Sequence, residues 1–445
     1  MFRSNAYRIL DIIYRLNGSD GIYQVYNRLH KIKNIGAPEV SEITYKKTVN
    51  ILSHAYRNVL YYKELFKERE LSLDDFRELG DLSKLPVLDK KIIRENFPDK
   101  IVDPGLIGRG IYNTTSGSTG QPLEFYMDRH SNAYALSSTM FFNEVMGVKA
   151  FDVHWNIKTL GEYPAKQKLS YWLLGKHLYS VLDLKPEKIK EISRQIDTIK
   201  PSYLEGYSAS LERMARLLKR HDAVPHHHPK AIIATSETLT PSGRSLMQSV
   251  LGSEVFNRYG FREFSAAVAQ ECTLHEGLHI NPLLTHVEIV DDNGDPVDEG
   301  EKGRILITDL NNWVMPFIRY DTGDLGVKGS DDCPCGLAFP LIKSLEGRTG
   351  EFLTSKTGDV IPLVTVSATM FRKHYAPYVQ SYQFTQHGKG KVSVRIVPTD
   401  KYSTELLPKM EGTLREVLPE FDTEVIVVDD ILPSSTGKTP PLIKT

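Results

Sequence analysis

Short apolar stretches alternate with helical ones between residues 150 and 260, and this alternation most limits what the chain can fold into. The pattern predicts strands at Phe151–Ile157, Ser202–Glu205 and Ala231–Thr235. It predicts helices at Pro186–Ile199, Ser208–Arg220 and Pro241–Leu251. Strands that alternate with helices are typical of parallel sheets covered by helices. The sequence therefore predicts layered α/β structure in this region.

The pattern changes on either side of this region. The first hundred or so residues look mainly helical, and Ile9, Ile12, Ile13 and Leu16 share one helical face. We expect that face to pack and the basic face to be solvated, with a membrane surface as the alternative partner. After residue 280, two strands of alternating polarity flank a turn rich in Asp, Asn and Gly, which predicts an antiparallel β region.

A third pattern begins near residue 350. It predicts a strand at Val392–Val397, a helix near Ser403–Val417 and a strand at Glu424–Val428. We therefore expect a multi-domain α/β (α+β) fold. Residues 1–347 form a large domain of layered α/β sheets plus a β region, and residues 348–445 form a small α+β domain.

Composition excludes several classes of protein. The 55 Lys and Arg residues balance 56 Asp and Glu residues, which argues against a nucleic-acid protein that depends on phosphate contacts. Three cysteines are too few for a disulfide framework. No apolar run approaches the roughly 18 residues of a membrane span, and charged residues interrupt the amino-terminal segment, unlike a signal peptide. We expect a soluble cytoplasmic protein without a transmembrane segment, whose oligomeric state the sequence leaves open.

A turn rich in hydroxyl groups is the most informative motif. The segment Tyr112–Met127 reads YNTTSGSTGQPLEFYM, and its centre comprises Thr115, Ser116, Gly117, Ser118, Thr119 and Gly120. Glycines and small hydroxyl residues allow backbone N–H and O–H groups to converge on phosphate oxygens. The Walker signature is absent, so this is not a P-loop. An ordinary Ser/Thr-rich turn is the alternative interpretation.

Five further segments follow this turn in a fixed order. ATSETL contains Ser236 and Glu237, and NRYGFREF contains Tyr259, Gly260 and Glu263. WVMPFIRYDTGDL contains Arg319, Asp321 and Asp324, and EGRTGEF contains Arg348 and Glu351. Near the carboxyl end, LPSSTGKT contains Lys438. Together, over about residues 85–440, these motifs resemble the adenylate-forming superfamily of acyl-CoA synthetases and adenylation domains. The branch they resemble most includes phenylacetate–CoA ligase and CapK, a polysaccharide-biosynthesis protein.

The resemblance implies an AMP-forming ligase. Such an enzyme activates a carboxylic acid with ATP and Mg²⁺ as an acyl or aryl adenylate, then transfers it to an acceptor such as coenzyme A. Two anions must be brought together, so the site has to neutralise charge and fix their geometry. The partners are therefore small molecules: the acid, ATP and the acyl acceptor.

The resemblance also assigns roles to individual residues. The turn Thr115–Gly120 would grip the phosphates, although Gln121 stands where many relatives have Lys. Lys438 would be the catalytic lysine of a mobile small domain, and Glu351, where relatives usually have Asp, would be its hinge. Glu263 would hold Mg²⁺ and act in catalysis. The remaining nucleotide contacts would come from Ser236, Glu237, Tyr259, Gly260, Asp324 and Arg348. For Lys438 the alternative is a solvated tail lysine, and for Glu263 it is a surface glutamate. Asp321 and Arg319 are expected to organise the strand end.

A second constellation predicts a metal site. Cys272, His279, Cys333 and Cys335 offer three thiolates and an imidazole, a set that suits a closed tetrahedral Zn²⁺ site of structural type. The C-x-C pair is tighter than the usual spacing, but the CapK-like branch has a similar arrangement. His275 is the second choice for the fourth ligand. The alternative is buried reduced thiols with solvated histidines nearby.

Two other functions remain open at this level. In the first, adenylation is followed by amide formation, in which an amine or sugar acceptor of polysaccharide biosynthesis takes the acyl group. Alternatively, the chain is a degenerate nucleotide-binding scaffold of a polysaccharide assembly, an interpretation that Gln121 and the short ending favour. The sequence does not identify the acid, the acceptor or the pathway.

Overall fold

The computed structural model describes most of the chain. The described residues are 8–9, 11–12, 14–16, 20–114, 123–149, 152–158, 171–264, 266–330, 332–348, 351–357, 360–434 and 439–445. They form two compact units, Met1–Phe151 with Arg258–Glu346, and Asp152–Asn257 with Gly347–Thr445. The predicted boundary between residues 347 and 348 stays a prediction.

The first unit combines helices with an antiparallel sheet. Its helices are Ile22–Ile32, Ala37–Asn58, Leu60–Glu68, Lys90–Asn96 and Arg129–Val145, with short 3-10 turns at Leu73–Asp75, Leu79–Lys84 and Ile107–Arg109. Asp89 caps the helix Lys90–Asn96, because its side chain accepts the N–H of Ile92 at 2.7 Å.

The strands of this unit include Tyr259, Gly260, His279 and Asp324 of the predicted site. In spatial order they are Thr285–Val290, Lys302–Asp309, Tyr320–Lys328, Leu341–Arg348, Leu278–Ile280, Ala266–Glu271 and the end of Glu254–Phe261. Thr285 pairs with Asp309 in an antiparallel register, which confirms the predicted β region. A separate hairpin, Gly110–Thr114 with Glu124–Asp128, flanks residues 115–122. Beneath the sheet, Phe125, Phe317, Val268 and Ile307 belong to one apolar core.

The second unit begins with the predicted parallel layer. Four strands lie in the order Ala231–Thr235, Tyr203–Tyr207, His154–Lys158 and Lys176–Ser180, and the pairings that are described are parallel. The helices are Ile189–Ile199, Ser208–Arg220 and Pro241–Leu251, with 3-10 turns at Val181–Asp183 and Pro186–Lys188. Their apolar faces pack on the strands through Ile192, Leu211, Met214 and Met247. The sequence missed the strand Lys176–Ser180.

The rest of the second unit is a small α+β region. Its sheet has the order Asp422–Val427, Lys391–Pro398, Val379–Gln386 and Leu442–Lys444. The helix Leu406–Val417 covers it through Met410 and Leu414. A small hairpin, Phe352–Thr354 with Val360–Pro362, leads into the short helix Leu363–Ser367 and the π-helical turn Ala368–His374.

One helical prediction is wrong. The structure exposes Ile9 by 59%, Ile12 by 52% and Leu16 by 81%, so the face that they share does not pack. Asp11 turns inward instead, because its carboxylate accepts the backbone N–H of Tyr23 at 2.9 Å. None of the described helices combines the length and apolar character that crossing a bilayer requires.

Candidate active site

Two strands of the first unit that are not neighbours in the sheet, Glu254–Phe261 and Tyr320–Lys328, bring Tyr259 and Asp324 together. The hydroxyl of Tyr259 donates to Oδ2 of Asp324 at 2.9 Å, and it lies 3.4 Å from Oγ1 of Thr322. A bulge between Tyr259 and Gly260 interrupts the pairing of their strand with Ala266–Glu271. A bulge bends a strand and changes the direction of nearby side chains, and bulges are frequent beside functional sites.

Thr322 is a residue of this cluster that the sequence did not single out. Its hydroxyl donates to the carbonyl of Ile305 at 2.9 Å and accepts the N–H of Asp324 at 3.1 Å. Thr322 thereby fixes the strand on which Asp324 is carried. The sequence feature that could have identified Thr322 is its position two residues before the predicted carboxylate, in the sequence Asp-Thr-Gly-Asp.

Glu263 lies buried just beyond the strand that carries Tyr259. It is 7% exposed, and its Oε1 accepts the hydroxyl of Tyr320 at 3.1 Å. The alternative of a surface glutamate is therefore wrong. A carboxylate oxygen is a ligand that Mg²⁺ accepts, so the residue type suits the predicted role.

Arg319 and Asp321 organise the strand end, as predicted. The Nε of Arg319 lies 3.1 Å and 3.2 Å from the two carboxylate oxygens of Glu288, and the guanidinium also donates to the carbonyls of Leu85 and Gly294. Arg304 pairs with Asp321 at 3.0 Å. These contacts are structural, because their hydrogen bonds lie within the protein.

Ser236 and Glu237 lie in the second unit, directly after the strand Ala231–Thr235. Ser236 has a φ of +68°, a left-handed conformation that costs a non-glycine residue roughly 1–2 kcal/mol. The carbonyl of Glu237 accepts the hydroxyl of Ser208 at 2.9 Å. The turn is thus held in a strained shape at the carboxyl ends of parallel strands, the usual position of ligand sites in such sheets.

Several predicted site residues lie outside the described part of the chain, and of one only the backbone is described. Thr115, Ser116, Gly117, Ser118, Thr119 and Gly120 lie outside the described residues, as does Lys438. Of Arg348 only the backbone is described, at the end of the strand Leu341–Arg348. The carbonyl of Glu351 accepts the N–H of Leu363 at 2.8 Å, and its hinge role stays a prediction.

The four predicted metal ligands converge in the first unit. The three sulfurs and one ring nitrogen of Cys272, His279, Cys333 and Cys335 all lie within 4.8 Å of one another. The sulfurs of Cys272 and Cys333 are 3.9 Å apart, and Nε2 of His279 lies 3.4 Å from the sulfur of Cys335. A tetrahedral zinc site with bonds of about 2.3 Å has sulfur–sulfur edges of about 3.8 Å. The donor set therefore fits a zinc ion.

The surroundings of His279 favour the same use. Its Nδ1 lies 3.3 Å from the carbonyl of Phe339, so a proton on Nδ1 leaves Nε2 facing the sulfurs. Metal-binding histidines commonly make such a second hydrogen bond. His275, the second choice, instead places Nδ1 3.0 Å from a carboxylate oxygen of Glu271 and is not part of the cluster.

Burial affects the protonation of these ligands. It lowers the pKa of His279 to about 4, so the imidazole is neutral near pH 7. Burial likewise raises the pKa of Cys335 to about 12 and raises that of Cys272 above its usual range. Without a cation these two thiols are protonated, and a bound metal would favour their thiolates instead.

The architecture is that of adenylate-forming CoA ligases. A solved structure of 2-hydroxyisobutyryl-CoA ligase in complex with 2-HIB-AMP matches with a TM-score of 0.74 and 18% identity, covering 93% of this chain and 91% of that chain. The anthranilate CoA ligase AuaEII in complex with anthranoyl-AMP matches with a TM-score of 0.51 and 16% identity, covering 74% and 65%. The predicted α/β fold class is confirmed.

The curated relatives indicate which branch of these ligases the chain resembles. Protein CapK of Staphylococcus aureus is 24% identical over 389 residues, covering 85% of this chain and 83% of the relative. The phenylacetate-coenzyme A ligase of Thermus thermophilus is 24% identical over 349 residues, covering 74% and 75%. No family model matches the chain. The resemblance to the phenylacetate–CoA ligase and CapK branch is confirmed.

Proposed function

We propose that the chain is an acid–CoA ligase that activates a carboxylic acid with ATP as an acyl or aryl adenylate and then transfers the acyl group to coenzyme A. The observation that carries this proposal is the Tyr259–Asp324 pair, in a chain whose curated relatives are phenylacetate–CoA ligases over about three quarters of their length. A carboxylate held by a neighbouring hydroxyl is suited to accept both ribose hydroxyls of the nucleotide.

The other residues have complementary roles in this proposal. Tyr259 and Gly260 would lie beside the adenine, with the turn of Ser236 and Glu237 and with Arg348 as further nucleotide contacts. The turn Thr115–Gly120 would hold the β- and γ-phosphates. When bound, Mg²⁺ would neutralise phosphate charge, and Glu263 would supply it a carboxylate oxygen. Lys438 would stabilise the charge that grows on the α-phosphate and the attacking carboxylate.

A carboxylate-dependent ATP–pyrophosphate exchange screen tests adenylation. Aromatic, aliphatic and sugar acids should be compared, because pocket shape changes preference by only a few kcal/mol. At least one acid should support exchange, and Lys438→Ala should reduce it severely. Lys401→Ala, an exposed lysine, is the matched control. Absence of exchange with every acid, together with retained nucleotide binding, would instead support a degenerate scaffold.

The acceptor is tested separately. Release of AMP that requires coenzyme A supports the thioester reaction. Pyrophosphate release without CoA-dependent turnover would support the alternative, in which an amine or sugar in polysaccharide biosynthesis accepts the acyl group. The cytoplasmic location stays a prediction.

We also propose a structural zinc ion on Cys272, His279, Cys333 and Cys335. Support comes from the separations of their donor atoms, which match the edges of a tetrahedron. Four protein ligands leave no open position, so the ion would stabilise the loop 332–340 against the strand Leu278–Ile280. It would take no part in the chemistry.

A further inference from the structure

The carboxylate of Glu237 joins two parts of the second unit that are distant in sequence. Its Oε2 accepts the backbone N–H of Ala209 at 3.0 Å, at the beginning of the helix Ser208–Arg220. Its Oε1 accepts the backbone N–H of Thr439 at 2.6 Å. The N–H of Thr439 belongs to the peptide bond that follows Lys438. One side chain therefore ties that peptide bond to the start of a buried helix.

The position of Glu237 is itself well fixed. The helix Ser208–Arg220 has no side-chain cap of its own, so its first N–H groups need an outside acceptor. A carboxylate at a helix amino terminus also interacts favourably with the helix dipole. Together with the bond from the Ser208 hydroxyl to the carbonyl of Glu237, these interactions hold the side chain in place.

The same helix also holds the chain ahead of Lys438. Asp430 accepts Nε of Arg213 at 2.5 Å and Nη2 of Arg216 at 2.9 Å. The side chains of Arg213 and Arg216 are only 7% and 14% exposed, so solvent screens these pairs weakly. Asp430 is thus bound directly to this helix, whereas Thr439 is bound to it through the carboxylate of Glu237.

We propose that Glu237 is a positioning residue for Lys438. Its carboxylate holds the N–H of Thr439, the residue that follows Lys438 in the chain, and this attachment next to the lysine is what would position it. The catalytic consequence rests on the proposed function, but the anchoring itself does not. This role for the side chain is distinct from the nucleotide contact that the sequence assigned to the backbone of Ser236 and Glu237.

Limited trypsin digestion tests the anchoring without any activity. Trypsin cleaves after Lys438 and after Lys401, an exposed lysine in a turn, and mass spectrometry under denaturing conditions distinguishes the products. Glu237→Ala should increase cleavage after Lys438 by about tenfold. Cleavage after Lys401 should not change, because the N–H of Tyr402 is bound to the carbonyl of Thr399 instead. The ratio of the two cuts is therefore an internal control.

Matched variants complete this test. Glu254→Ala makes the same change at an exposed glutamate and should leave the ratio unchanged. Circular dichroism should show that each variant is folded. An unchanged ratio in folded Glu237→Ala would overturn the proposal, whether or not the protein is a ligase.

Kinetics test the catalytic consequence. Glu237→Ala should lower kcat of the exchange reaction by about tenfold and leave KM for the acid nearly unchanged, because the lysine acts in the transition state. Glu237→Asp should restore part of kcat. Unchanged kcat beside an increased cleavage ratio would overturn the catalytic role. Absence of exchange in the unmodified protein would contradict the proposed function and leave the digestion result valid.

Discussion

The hydroxyl of Tyr259 and the carboxylate of Asp324 lie 2.9 Å apart, on strands that are separated by 65 positions in sequence. The hydrogen bond fixes one oxygen of the carboxylate before any ligand arrives. A preorganised carboxylate loses little freedom on binding, which favours affinity. The tyrosine thus has a second use besides the contact with adenine that we propose.

Removing this hydroxyl should weaken nucleotide binding. In Tyr259→Phe, Asp324 loses a hydrogen bond to a charged group, an interaction of about 1.5–3 kcal/mol, so KM for ATP should rise by roughly tenfold or more. The exchange assay measures this. Tyr45→Phe removes a hydroxyl that binds the carbonyl of Phe76 at 3.0 Å and should leave KM unchanged. Equal effects of the two variants would contradict the assignment.

Zinc content should depend on His279 and not on His275. His279→Ala removes one of four ligands, and we expect less than about half an equivalent of zinc in the purified variant by elemental analysis. His275→Ala should retain about one equivalent, because its ring contacts Glu271 and not the sulfurs. Less than half an equivalent in the reduced, unmodified protein would exclude the site.

The protein should become less stable as the pH rises, because the carboxyl of Glu212 ionises. This side chain is buried, and burial raises its pKa from 4.5 to about 7, although Arg216 lowers it in part. Below pH 4.5 the carboxyl of Glu212 is protonated in both the folded and the unfolded protein, and above pH 7 it is ionised in both. In between, the folded state binds more protons, so stability falls as pH rises. The difference between these two pKa values of Glu212 corresponds to roughly 3 kcal/mol in the free energy of unfolding.

Glu212→Gln should remove this pH dependence. Urea unfolding between pH 5 and 8 would then show a variant that is more stable than the unmodified protein at pH 8. Glu416→Gln, at an exposed position, should keep the original slope. If the two variants show the same slope, Glu212 is not the titrating group.

Even the substitution of Arg319 by lysine should disrupt its buried ion pair and destabilise the protein. Arg319 is 1% exposed, and its guanidinium contacts Glu288 and two backbone carbonyls in different directions. A lysine ammonium cannot reach all of them, so Arg319→Lys should cost about 3–5 kcal/mol in urea unfolding. Arg415→Lys affects an exposed pair with Glu411 and should change stability by less than about 1 kcal/mol. A small effect at Arg319 would mean that the ion pair contributes little.

Elements with strong local patterns could be predicted from the sequence. The helices Ser208–Arg220 and Pro241–Leu251 and the strand Ala231–Thr235 begin and end where the pattern placed them. Their apolar spacing and neighbouring turns determine these limits locally. The strand Lys176–Ser180 was missed because it has little apolar character and its pairing partner, His154–Lys158, is distant.

Site residues with specific chemistry were also predictable, whereas long-range contacts were not. Three cysteines and a histidine are a rare donor set, so the sequence identified the cluster that the structure brings together. The contact of Glu237 with Thr439 spans 202 positions and involves a backbone N–H that carries no sequence signal. The exposed face of Ile9, Ile12 and Leu16 was misjudged because periodicity identifies an apolar face but not whether a partner covers it.

The strand Leu442–Lys444 makes the last residues part of a sheet. It runs parallel to Val379–Gln386, with Leu442 beside Phe384 and Lys444 beside Gln386. Leu442–Lys444 is the edge strand of this sheet, so trimming residues 442–445 would expose the longer strand Val379–Gln386 as the new edge, and a longer unpaired edge favours aggregation. An affinity tag fused after Thr445 would start at this edge, so a tag at the opposite terminus is the safer choice for purification.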